Sequence, residues 1–336
     1  MNMMKWVDDA LAQEQKKGFL ILSFPAIQKM GITVKELINS SDLQAEAMKI
    51  VADSTPNALA SVSMMDLSLE AEAFGSTIHV SDDEVPTVVG SIISEEEEAD
   101  ALEVPEIGAG RTQIYIDAIE KAKKLITDRP VFAGAIGPFS LAGRLMDVTE
   151  AMVYCFEEPD MVHTVLEKVT DFIIKYCNAY KAVGADGVLI AEPLAGLLSP
   201  GLAEEFSSEY MNKIVEACQT DEFLIGYHNC GNATIQQINS IKTNGCRILH
   251  FGNAIQMADM VPLVPENILV MGNVDPAGVL RNGTPESVKA ETKRIMEACA
   301  KYPNFIISSG CDIPPMSPWE NIDAFFEAVD EYYAAN

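Results

Sequence analysis

The chain has no apolar run approaching the roughly 20 residues that a membrane-spanning helix needs. Its opening, MNMMKWVDDALAQEQKK, lacks the long apolar centre of a secretory signal. No membrane partner is expected, and the cytoplasm is the expected location. Positive charge is scarce: 23 Lys and Arg stand against 50 Asp and Glu, a formal net charge of −27 at pH 7. Such a surface repels phosphate backbones, and no basic stripe opposes it, so nucleic acid is not an expected partner. The acidic run SEEEEAD at 94–100 reads as a solvated loop or an exposed first helical turn, where acids favour the N-terminus. Seven cysteines, an odd number in a chain without an export signal, point to reduced thiols rather than a disulfide framework. No G-x-G-x-x-G follows the first apolar run, which removes the dinucleotide-binding reading. No lysine ends a candidate strand, which counts against a Schiff-base aldolase.

What is present is a core. The 336 residues are 48% hydrophobic, ample for a large globular domain. Apolar, β-branched runs recur at 18–24, 61–66, 131–137, 187–193, 223–228, 247–251, 268–272 and 304–310, with helix-forming sequence between most of them. Eight buried runs alternating with helices predict an α/β fold, a (β/α)8 TIM barrel in one domain over 1–336. It carries an N-terminal extension and an excursion between the second and third strands, where HVSDDEVPTVVG reads as β-structure. A doubly wound open sheet is the alternative. In a barrel the chemistry sits at the C-terminal ends of the strands.

The fifth run, FLIGYHNCGN at 223–232, ends in His228 and Cys230. Side chains two apart on a strand share a face, so an imidazole and a thiol point the same way at the strand exit. Cys311, in NFIISSGCDIPP, leaves the eighth run in the same manner. One His and two Cys suit a soft tetrahedral ion with an open fourth position, the arrangement of a catalytic zinc. The competing reading is three unrelated core residues. Cys155, Cys177, Cys218 and Cys299 lie in helix-like segments and read as buried apolar residues, and Cys246 precedes its strand at the opposite mouth. His79 and His163 lie away from any exit. His250, inside the sixth run, is a rival ligand if alternation turns it inward. Glu192 ends the fourth run and is open to three roles: fourth ligand, catalytic proton acceptor, or cap of the following loop. Ser23, Asp66, Gly137, Asn253 and Asp275 fall at strand exits and are candidate substrate-binding residues. Met64, Met65, Met271 and Met316 lie near exits as well, either as core or as an apolar rim.

The stretches GPFSLAGRL (137–145), GADGVLIAEPLAGLLSP (184–200), YHNCGN (227–232), MGNVDPAGVL (271–280) and FIISSGCDIPPMSPWENIDAF (305–325) resemble the uroporphyrinogen decarboxylase superfamily. Within it they are most similar to zinc-dependent methyltransferases that pass a methyl group from a methylated corrinoid protein to a thiol of the coenzyme M type. The resemblance implies the same barrel, Zn²⁺ on His228, Cys230 and Cys311, and a methylcorrinoid carried by a separate corrinoid-binding protein. It also implies a small thiol substrate. One departure stands out: relatives often carry an acidic residue at the end of the sixth strand, where this chain reads HFGNAIQM. Two other readings follow. A decarboxylase of the uroporphyrinogen type would want arginines near the N-terminus for its carboxylates, yet the first arginine is Arg111 and SFPAIQKMG offers only Lys29. A non-enzymatic zinc- or corrinoid-binding accessory protein would fit the missing carboxylate.

Overall fold

A computed structural model describes residues 1–335. Seven parallel strands form the main sheet, each buried along its length. They are β1 (Ser61–Val62), β4 (Val131–Ile136), β5 (Gly187–Ala191), β6 (Leu224–Asn229), β7 (Ile248–Phe251), β8 (Leu269–Val274) and β9 (Phe305–Ser309), paired in that order. Two short antiparallel strands, β2 (Thr77–His79) and β3 (Thr87–Val89), form the excursion between the second and third runs.

The first expected strand, 18–24, is not one. It makes a single parallel bridge, Phe19 to Ser308, and otherwise reaches both edges of the sheet through separate hydrogen bonds. Toward β9, the Phe19 N–H donates to the Ile307 carbonyl (3.0 Å) and the Ile21 N–H to Ser309 Oγ (3.2 Å). Toward β1, the Leu59 N–H donates to the Gly18 carbonyl (2.9 Å) and Ser23 Oγ to the Val62 carbonyl (2.6 Å). One segment bonded to β9 on one side and β1 on the other requires the sheet to curl. The Ser309 hydroxyl has taken the place of a ladder carbonyl and the Ser23 hydroxyl that of a ladder amide, so the regular strand pattern is lost while the position between the edges is filled.

Parallel strands packed on both faces read as continuous apolar runs, which is why seven of the eight expected runs became strands. Their alternation divides two cores. Leu189, Ala191, Leu224, Ile248, Leu269, Met271 and Ile306 face the inside of the curl, together with Phe19, Ile21 and Phe132. Val188, Ile190, Ile225, Tyr227, Leu249 and Ile307 face the surrounding helices. The N-terminal helix Met3–Ala12 adds Met3, Val7 and Ala10 to the inner core, with the Trp6 ring 6.0 Å from that of Phe132. It is anchored by the Met3 N–H on the Asp221 carbonyl, just before β6, which sets it across the N-terminal end of the strands. The opposite end is left for the strand exits. Cys155, Cys177, Cys218 and Cys299 are buried on helices, and Cys246 is buried before β7. The acidic run opens the helix Glu96–Ala101, with the three glutamates of its first turn exposed.

Candidate metal centre

Leu224 faces inward, so Gly226 and His228 do too, and Cys230 continues that face just past the end of β6. From β9, Ile306 and Ser308 face inward and the chain turns through Gly310 to Cys311. His228, Cys230 and Cys311 thereby bring one ligand atom each to within 4.8 Å of one another. Cys311 Sγ lies 3.5 Å from His228 Nε2. A tetrahedral zinc with Zn–S of about 2.3 Å and Zn–N of about 2.0 Å sets sulfur and nitrogen about 3.5 Å apart, so the donor set fits that ion in identity and in spacing. Cys230 is held far below the ordinary thiol range, first by the hydrogen bond from Cys311 and then by the His228 imidazole, against the opposing effect of burial. The same contact, with burial, drives Cys311 up. A thiolate is therefore already favoured at the site.

His250 is not the third donor atom at this cluster. Register places it directly opposite His228 on the inner face, and its Nδ1 is 2.8 Å from His228 Nδ1. Its Nε2 is 2.8 Å from Ser308 Oγ. If Nε2 of His228 gives its lone pair to a metal, Nδ1 carries the proton and donates to His250 Nδ1. His250 must then carry its own proton on Nε2 and donate to Ser308 Oγ. Burial and the neighbouring imidazole push His250 well down, so it is neutral, as that arrangement needs. Were His228 to hold a metal, His250 and Ser308 would orient that ligand rather than supply one. Gly252, at the end of β7, leaves space for Cys230: a Cβ there would lie 2.4 Å from Cys230 Cβ.

Glu192 lies one residue past Ala191, which pairs with His228, so it shares the outward face of Val188 and Ile190. It is fully buried and accepts hydrogen bonds from the N–H of Ser140 (2.8 Å), at the start of the helix Pro138–Met146, and from Ser207 Oγ. Burial raises its carboxyl to about 7. Gly137 abuts it, and a Cβ at that glycine would lie 2.1 Å from Glu192 Cγ. Ser23 is spent on the Val62 carbonyl, and Asp275 caps the following turn through the Ala277 and Gly278 N–H groups. Asn253 is exposed beside Gly310. Asp66 is buried and receives Arg111 (2.6 Å) and Tyr115 (2.8 Å), with Glu72 on the other side of the guanidinium (2.6 Å). Of the four methionines, Met64, Met65 and Met271 are buried and only Met316 is exposed. Lys29 lies over the Trp319 ring and donates to Ser54. Three mouth residues went unnoticed in the sequence: Ser308, beside His250, and Arg144 and Asp312, whose meeting in the lining of one cavity is invisible in one dimension.

A curled parallel sheet with a His–Cys–Cys cluster at its C-terminal mouth defines the class: an α/β fold whose strand exits bring together side chains that could hold a metal ion. Residues 20–332 match the family model described as uroporphyrinogen decarboxylase (URO-D), and the chain belongs to that family. Among curated proteins, the methylcobamide:CoM methyltransferase MtbA of Methanosarcina mazei is 31% identical over 283 residues, covering 80% of this chain and 78% of its own. A uroporphyrinogen decarboxylase of Coxiella burnetii is 26% identical over 291 residues, covering 82% and 78%. A solved methyltransferase from Methanosarcina mazei superposes with a TM-score of 0.86 over 99% of both chains at 23% identity, a likeness of fold. Among the described residues no helix is long and apolar enough to cross a membrane.

Proposed function

We propose that this protein is a zinc-dependent methyltransferase that moves a methyl group from a methylated corrinoid, carried by a separate protein, to a small thiol. The convergence of His228, Cys230 and Cys311 carries the reading, because decarboxylation gives such a cluster no work. Zinc held by these three residues would lower the pKa of a thiol at the remaining position, so that a thiolate exists near neutral pH. The cysteinates of Cys230 and Cys311 would cancel the ion's charge and leave electron density on a substrate sulfur. The reaction forms a carbon–sulfur bond and breaks a carbon–cobalt bond, whose electron pair stays with the corrinoid while the thiol proton leaves to solvent. In this reading His250 and Ser308 hold the His228 ring, Gly252 admits Cys230, and residues 18–24 stand as the eighth member of a (β/α)8 ring.

The pairing of Arg111 with Asp66 and Glu72 supports the choice over a polycarboxylate decarboxylase, since the first arginine of the chain has no free face for substrate. Metal analysis together with methyl transfer from methylcobalamin to a panel of thiols tests the proposal. Stoichiometric zinc with turnover is expected, and both are expected to fall in His228→Ala and Cys311→Ala. Zinc without turnover, with a cognate corrinoid protein present, would favour the accessory role, and metal-free porphyrinogen decarboxylation would favour the decarboxylase.

A further inference from the structure

A cavity of about 240 Å³ opens at the strand exits, and Asp312 in its lining directly follows Cys311, which sets it beside the His–Cys–Cys cluster. Met65 and Leu67, after β1, and Val85 and Val88, from the excursion, give it apolar walls. Arg144, in the last turn of the helix Pro138–Met146, is the only cation among the described residues that line it. Its place is built. The carbonyl of the next residue, Leu145, accepts the N–H groups of Ile92 (2.8 Å) and Ile93 (3.0 Å), which ties that helical turn to the end of the excursion. The turn between β2 and β3 is held by Glu84 on Arg281 (2.8 Å), which follows β8.

Arg144 differs from the other arginines. Arg111, Arg129, Arg247, Arg281 and Arg294 all meet a carboxylate, in a chain with 50 acidic residues. Arg144 meets none among the described residues: it is half-buried, its Nε is buried without a hydrogen bond, and burial with nothing opposing it pulls its pKa down. A desolvated guanidinium without an internal partner presents a planar donor fork that a carboxylate or sulfonate from outside completes. Size decides the source of that anion. Pockets for drug-sized ligands run from about 300 to 1,000 Å³, so this cavity takes a short chain with its head group and not a corrin ring.

Resting on the methyltransferase reading, we propose that Arg144 is the head-group site of the acceptor, a short thiol bearing one sulfonate or carboxylate that docks on the guanidinium. The apolar walls then take the methylene chain, and the sulfur is directed toward the cluster that Cys311 joins.

Calorimetric titration with three thioethers tests this without turnover: 2-(methylthio)ethanesulfonate, 3-(methylthio)propanoate and the neutral 2-(methylthio)ethanol. At least one anion is expected to bind about 10- to 100-fold more tightly than the alcohol, the range of a buried charge-assisted hydrogen bond. Arg144→Gln should bring the anions down to the level of the alcohol. Arg144→Lys, which keeps the charge and loses the fork, should recover part of the difference, with circular dichroism and zinc content reporting the fold of each variant. Anions that bind the wild-type protein no better than the alcohol, or no binding of any of the three, overturn the proposal whatever the variants do. So does an anion preference that survives in folded Arg144→Gln. Methyl transfer separates this inference from the reading beneath it. Arg144→Gln should raise KM for 2-mercaptoethanesulfonate and leave KM for methylcobalamin as it is, whereas the opposite result would give the guanidinium to the corrinoid's phosphate and refute an acceptor subsite. Equal KM values for 2-mercaptoethanol and 2-mercaptoethanesulfonate would leave the methyltransferase standing and the subsite refuted. Arg144-dependent binding of the anions without transfer to any thiol would do the reverse.

Discussion

The His228–His250–Ser308 chain makes a prediction that separates a positioned ligand from a chance neighbour. Replacing His250 with Leu removes the acceptor 2.8 Å from His228 Nδ1, in a place where His250 is fully buried and water cannot substitute. The proton on Nδ1 is then unpaired. A buried donor left unsatisfied costs about 1–3 kcal/mol. His228 escapes the cost by rotating its ring or by moving its proton to Nε2, and either change spoils the nitrogen that faces Cys311. Loss of an outer hydrogen-bond partner of a ligating histidine typically weakens metal binding about 10- to 100-fold. Zinc affinity of His250→Leu, measured by competition with a chromogenic chelator, is therefore expected to fall by that factor. Ser308→Ala should cost less, because it frees the His250 tautomer but leaves its ring in place. His250→Gln, which restores an acceptor near the lost Nδ1, should recover part of the affinity. Unchanged zinc affinity in His250→Leu, with an intact fold by circular dichroism, would refute the orienting role and return His250 to ordinary core packing.

Other consequences follow from the same neighbourhood. Gly252→Ala places a Cβ 2.4 Å from Cys230 Cβ, so Cys230 must move and zinc stoichiometry should drop below one by elemental analysis while secondary structure is kept. Glu192, raised to about 7 by burial, binds a proton in the folded state at pH values where the unfolded chain has released it. Folding stability should then fall as pH rises from about 4.5 to about 7, by up to roughly 3 kcal/mol, and urea unfolding of Glu192→Gln should lack that part of the slope. A flat wild-type profile would contradict the buried, proton-sharing environment. Arg111→Met strands the buried Asp66 and should destabilise by about 3–5 kcal/mol in thermal or denaturant melts, whereas Lys5→Met, removing an exposed ion pair, should change stability by under about 1 kcal/mol.

The convergence of His228, Cys230 and Cys311 was legible because it needs only two local facts: the period of two that aligns His228 with Cys230, and an apolar strand ending just before Cys311. Seven strands were legible for a related reason, since parallel strands buried on both faces leave long apolar runs. The same property hides the facing of individual residues. In GVLIAE, both Val188 with Ile190 and Leu189 with Ala191 are apolar, so nothing in the run says which pair faces inward. Only the register Ala191 to His228 shows that Glu192 falls on the outer face, against the helix Pro138–Met146. His250 needed the ladder too, because its value lies in standing opposite His228. Residues 18–24 look like the other runs, but their bonds pass through Ser23 and Ser309 hydroxyls, and no hydrophobic pattern records that exchange.

The mouth has a consistent electrostatic logic that extends past any one of these residues. Acids dominate the chain, yet the buried Asp66 and Glu192 near the strand exits are each tied to specific partners. Asp66 and Glu72 absorb Arg111, and Glu192 takes a backbone amide and a hydroxyl.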